Sequence, residues 1–68
     1  MGAKESIRNA MKKKRITYNV LSGKLGIGSQ TLLNMVYRDN MTFATVERIC
    51  DKMDCEIVIR DRYTKEEY

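Results

Sequence analysis

Residues 18–37, YNVLSGKLGIGSQTLLNMVY, constrain the fold more than any other stretch of the chain. Two short helical patterns flank a break at Leu25-Gly26-Ile27-Gly28. Apolar residues fall at Leu21, Leu25, Ile27, Leu32 and Met35, with the small Ser22 and the achiral Gly26 between them. Helices that cross closely need a small residue where their backbones approach. The chain turning between them needs a left-handed position, which Gly takes without steric cost. Such a unit anchors one helix on a scaffold and leaves the next free to enter a DNA groove. The segment reads as a helix-turn-helix, with Leu32 and Met35 pointing inward.

The flanking sequence supplies the scaffold. Ile7, Ala10, Met11 and Lys14 follow the i, i+3, i+4, i+7 spacing of a first helix over residues 4–14, with the Lys14 stem at its edge. Lys12, Lys13, Lys14 and Arg15 end this helix with positive charge, which complements its dipole and is equally placed to meet phosphate. Thr17 is a good N-cap for the second helix, which runs to about Leu25. Gly23 within it costs about 1 kcal/mol relative to Ala, so packing overrides propensity or the helix is short. The third helix starts near Gly28-Ser29 and runs to about Tyr37, followed by the polar loop Arg38-Asp39-Asn40. Thr42 caps a fourth helix whose apolar stripe is Phe43, Val46, Ile49, Cys50 and Met53.

Charge is divided along the chain. Residues 1–49 carry nine Lys and Arg against three acids, a net of +6, whereas residues 50–68 carry four against six, a net of −2. The positive potential thus belongs to the helix-turn-helix half and suits a polyanionic partner. With 68 residues the chain is one small domain with a marginal core, for which oligomerisation is one remedy.

Several classes are disfavoured. No apolar run approaches the roughly 18 residues of a membrane span, and no signal-peptide pattern is present. Gly2 and Ser6 match an N-myristoylation pattern, a match short enough to arise by chance. Cys50 and Cys55 have no zinc-ligand spacing and there is no His, so no metal and no cofactor are expected. Unpaired thiols without a signal sequence point to a reducing cytoplasm. Neither a Gly-rich phosphate loop nor a nucleophile motif is present, which argues against an enzyme.

Residues 55–60, CEIVIR, are rich in β-branched side chains, with Cys55, Ile57 and Ile59 on one face. They read as a single strand for which no second strand is evident in the sequence. A lone strand presents unpaired backbone groups to another chain. Two copies are therefore expected to pair through Ile57, Val58 and Ile59 as an antiparallel ribbon, giving a symmetric homodimer. Residues 61–68, DRYTKEEY, read as a polar, frayed tail.

The chain resembles the Cro/repressor-type (XRE-like) helix-turn-helix family over about residues 5–54. The residues that carry the resemblance are Thr17, Leu21-Ser22, Leu25-Gly26-Ile27, Leu32, Met35 and Thr42-Phe43. The chain differs from the family's usual pattern at Tyr18 (often Gln), Val20 (Glu), Ser22 (Ala) and Gly28 (Ser or Thr). The resemblance implies a mainly α fold: a four-helix Cro/repressor-like helix-turn-helix domain over 1–54. The dimerisation strand at 55–60, pairing across a dimer, and the tail at 61–68 would follow it. The short β-rich end is also similar to that of antitoxin-type regulators that dimerise through a two-stranded ribbon, and to that of small Cro-like repressors.

Helical phase and the resemblance point to the same DNA-contacting residues. Ser29, Gln30, Leu33 and Asn34 lie on the outward face of the third helix. Gln and Asn offer a donor and an acceptor together, matching adenine N6 and N7 in the major groove, while Leu33 suits a thymine methyl. Thr17 and Tyr18, at the N-terminus of the second helix, are placed for phosphate. Tyr37, Arg38, Asn40 and Thr42 lie on the far side of the third helix, where the resemblance implies a grip on the other strand. Arg38 has a competing role as an ion-pair partner of Asp39 or Glu47. The expected function is sequence-specific transcriptional regulation, with repression at a near-palindromic operator. The alternative is an antitoxin that also binds a toxin protein.

Overall fold

The computed structural model describes residues 3–68, so Gly2 of the myristoylation pattern lies outside the described residues. Four helices occur in the order α1 (Lys4–Lys14), α2 (Tyr18–Leu25), α3 (Ser29–Arg38) and α4 (Phe43–Lys52). The core is built from one i, i+4 pair from each helical segment: Ile7 and Met11, Leu21 and Leu25, Leu32 and Val36, and Ile49 and Met53. That spacing places both side chains of a pair on one face of their helix, so each helix contributes a single apolar stripe. α2 packs against α3 and α4, and α1 packs against α3. Ser22 is buried among these residues and satisfies its hydroxyl by donating to the Asn19 carbonyl at 3.0 Å.

Local chemistry sets the helix ends. Thr17 Oγ1 accepts from the Val20 N–H and Thr42 Oγ1 from the Thr45 N–H, each at 3.2 Å, so both threonines are N-caps. α1, α2 and α4 each end through a left-handed residue: Arg15 at φ 57°, Gly26 at φ 74° and Asp54 at φ 56°. In each case the next N–H reaches back to a carbonyl in the last turn: Ile16 to Met11, Ile27 to Ser22 and Cys55 to Cys50. These are Schellman closures, which satisfy carbonyls that a helix end leaves without partners. Gly26 is the break that the sequence placed between α2 and α3.

Two expectations about packing are corrected. Val36, not Met35, is the second core residue of α3, since it lies one helical turn beyond Leu32 while Met35 is only half-buried. Phe43 does not join the core stripe of α4 and is 67% exposed. It is the first residue of its helix, and borders a shallow groove with Glu47, Cys50 and Ile57. Cys50 is half-buried beside Cys55, and neither is in a disulfide. Burial, and secondarily the Cys55 thiol, push the Cys50 thiol above its ordinary value, which leaves it a poor nucleophile at neutral pH.

The C-terminus departs from its sequence reading. Residues 55–59 contain neither helix nor turn, and no strand is assigned among the described residues. The inference that nothing within the chain pairs with this segment is corrected, because Arg60 forms an antiparallel bridge with Glu67. Asp61 turns the chain: its carboxylate accepts from the Tyr63 N–H at 2.8 Å and the Thr64 N–H at 3.0 Å. Those bonds, that to Thr64 first, hold the Asp61 carboxyl below its ordinary value. Lys65, at φ 65°, then lets residues 66–68 return alongside residues 59–61. Residues 61–68 therefore form a closed turn.

Candidate nucleic-acid interface

α3 projects its outer face because Leu32 and Val36 fix the opposite one in the core. Gln30, Leu33 and Asn34 are exposed on that outer face and Ser29 is half-buried at its start. Gln30 Nε2 donates to Asn34 Oδ1 at 3.3 Å, joining the two amides across one turn. The contact leaves Gln30 Oε1 as an acceptor beside Asn34 Nδ2 as a donor, the pair of functions that an adenine edge requires. α3 contains no acid, and its last turn carries Arg38.

The surrounding positions differ in their availability. The Thr17 hydroxyl, while accepting from Val20, keeps its own proton to donate outward. The Thr42 hydroxyl is more engaged, lying 3.0 Å from Thr45 Oγ1 besides capping α4. Tyr18 is half-buried, packed against the core, and lines a small depression with Arg8, Met11 and Ile16. Its ring thus serves the α1–α2 contact. Tyr37 is 68% exposed, and Arg38 and Asn40 are exposed beside it. Among the described residues the one ion pair is Arg60 with Glu67, so Arg38 is engaged by neither Asp39 nor Glu47.

Asp39 has a different task. Its carboxylate accepts from the Lys4 backbone N–H at 3.0 Å, capping α1 from the end of α3. Lys4 Nζ in turn lies 4.3 Å from the Tyr37 ring centroid, a cation–π contact. α1 is thereby tied to the end of α3, and a further cation stands beside Tyr37. Arg48 of α4 donates from Nη2 to the Leu25 carbonyl at 3.3 Å, holding the C-terminal end of α2. Sequence reasoning missed Lys4, Asp39 and Arg48 because their contacts are distant in the chain: Lys4 meets Asp39 35 positions away and Tyr37 33 away, and Arg48 meets Leu25 23 away.

A capped helix, a left-handed Gly turn and a second helix with an acid-free polar outer face define a helix-turn-helix DNA-binding domain. The sequence profile of the Cro/C1-type HTH DNA-binding domain matches residues 6–58, and the chain belongs to that family. Comparison with curated proteins and with solved structures finds no match. No helix among the described residues is long and apolar enough to cross a membrane.

Proposed function

We propose that this chain is a sequence-specific transcriptional regulator that represses by occupying a near-palindromic operator as a homodimer. The observation that carries this reading is the outer face of α3, where the joined amides of Gln30 and Asn34 stand beside Leu33 without an acid. In the proposed complex α3 lies in the major groove. Gln30 and Asn34 read base edges, Ser29 reaches a base or phosphate, and Leu33 presses on a thymine methyl. Thr17 and the α2 N-terminus meet phosphate on one side. Tyr37, Arg38 and Asn40 do so on the other, joined by Lys4, with Thr42 and Tyr18 contributing through their hydroxyls. Repression follows sterically from the occupied site, in the cytoplasm where the DNA lies.

Dimerisation is proposed through Ile57, Val58 and Ile59, which places two recognition helices about 34 Å apart, one DNA turn. The test is selection of bound duplexes from a random DNA pool at near-physiological salt. A near-palindrome with half-sites one turn apart is the expected product. A single unrepeated motif would retain the DNA-reading role and overturn the dimer, whereas recovery of no motif would overturn sequence-specific reading altogether.

A further inference from the structure

The closed C-terminal turn determines which edge of residues 56–60 is occupied. In an antiparallel ladder the N–H and C=O of one residue point to the same edge, and successive residues alternate edges. The Ile59 carbonyl accepts from Tyr68 and the Asp61 N–H donates to Glu66, both at the returning segment. Ile59 and Asp61 therefore direct their backbone groups toward residues 66–68. Arg60, between them, directs its groups to the other edge, and the same alternation carried back along the segment puts those of Glu56 and Val58 there, an edge with no backbone partner among the described residues.

From this edge we infer that a second copy of the chain pairs in one register, with Val58 opposite the partner's Val58. The inference rests on the homodimer proposed above and specifies its geometry. A two-fold axis perpendicular to an antiparallel pair preserves the faces of the ribbon, and directly opposed residues share a face. Opposed residues must then both be odd or both be even, so the axis passes midway between one residue and its own copy. Three centres are available.

Centring on Ile57 sets Glu56 against the partner's Val58 and leaves Arg60 opposite the partner's Asp54, whose φ of 56° takes it out of the strand. Centring on Ile59 sets Val58 against the partner's Arg60, and Ile57 against the partner's Asp61. Centring on Val58 alone matches like with like. Glu56 then faces the partner's Arg60 on both sides of the axis, and Ile57 faces the partner's Ile59.

The resulting sheet has four strands. On one face Arg60, already bound to Glu67 of its own chain at 2.6 Å, gains the partner's Glu56 on its free side. On the other face Tyr68, Ile59 and the partner's Ile57 form an apolar row. This row covers side chains that the single chain leaves open, Ile59 at 71% exposed and Ile57 at 40%.

The test is sedimentation equilibrium of the full chain and of two charge-reversed variants, with helical content checked by circular dichroism. Glu56→Arg and Arg60→Glu each place like charges opposite one another twice, and each is expected to weaken self-association about tenfold. Mixed in equal amounts, the variants restore two opposite-charge pairs, and a heterodimer of wild-type affinity is expected. Glu5→Gln, on the exposed side of α1 and outside the ribbon, should leave association unchanged. A dimeric wild type whose variants fail to complement overturns this register and leaves the dimer standing. A wild type that stays monomeric at every concentration overturns the dimer itself.

Discussion

The amides of Gln30 and Asn34 are held 3.3 Å apart before any DNA arrives, which lowers the ordering cost of presenting them together. Arg38 makes no ion pair, so its charge remains available to the DNA backbone. The two residues should fail differently when truncated. Gln30→Ala is expected to cost roughly 1–3 kcal/mol for the selected site and to relax preference at one base pair. Arg38→Ala should weaken all sequences alike and reduce the slope of log affinity against log salt by about one. Titrations of cognate and scrambled duplexes at several salt concentrations separate the two. An equal loss on both duplexes for Gln30→Ala would assign it to the phosphate set. These residues were legible in the sequence because helical phase alone places them outward once Leu32 is known to be inward. Lys4 was not, because its relation to Tyr37 depends on α1 being capped by Asp39 at the end of α3.

At the scale of elements, two glycines three positions apart do opposite work. Gly23 lies inside α2, exposed, with nothing within 4 Å of where a Cβ would stand. Gly23→Ala should stabilise the domain by about 0.5–1 kcal/mol, since Ala carries less backbone entropy into a helix. Gly26 ends the same helix at φ 74°, where a Cβ is strained whatever the surrounding space. Gly26→Ala should therefore destabilise by about 1–2 kcal/mol. Urea denaturation followed by circular dichroism measures both, and a destabilising Gly23→Ala would mean that α2 needs flexibility there. The helices were legible for the reasons these glycines illustrate: caps at Thr17 and Thr42, a left-handed Gly26 and helical spacing of apolar residues. Their rotation was less legible. Met35 and Val36 are adjacent and both apolar, and only packing of α3 on α1 and α2 selects Val36. The returning segment at 66–68 was invisible to pattern reading, because three residues show no alternation and the Asp61 turn that creates them acts through backbone N–H groups.

At the scale of the whole molecule, a small helical core and an open strand edge bear on the same question. The buried apolar set is two side chains from each of four short helical segments, while Phe43, Val58, Ile59, Tyr63 and Tyr68 remain substantially exposed. A second copy seated on the open edge would cover part of that surface and set the separation of the two α3 helices. Val58→Pro tests this at low cost to the single chain. The Val58 N–H has no backbone partner among the described residues, so the change removes no such hydrogen bond, and Pro at a sheet edge blocks only pairing from outside. The expected outcome is a folded monomer by light scattering. Its affinity for a duplex carrying two half-sites should fall to that for a duplex carrying one, because linkage between the recognition helices is lost. Unchanged mass and unchanged preference for the paired site would place the dimer contact elsewhere, with the exposed Phe43 face of α4 the next surface to mutate.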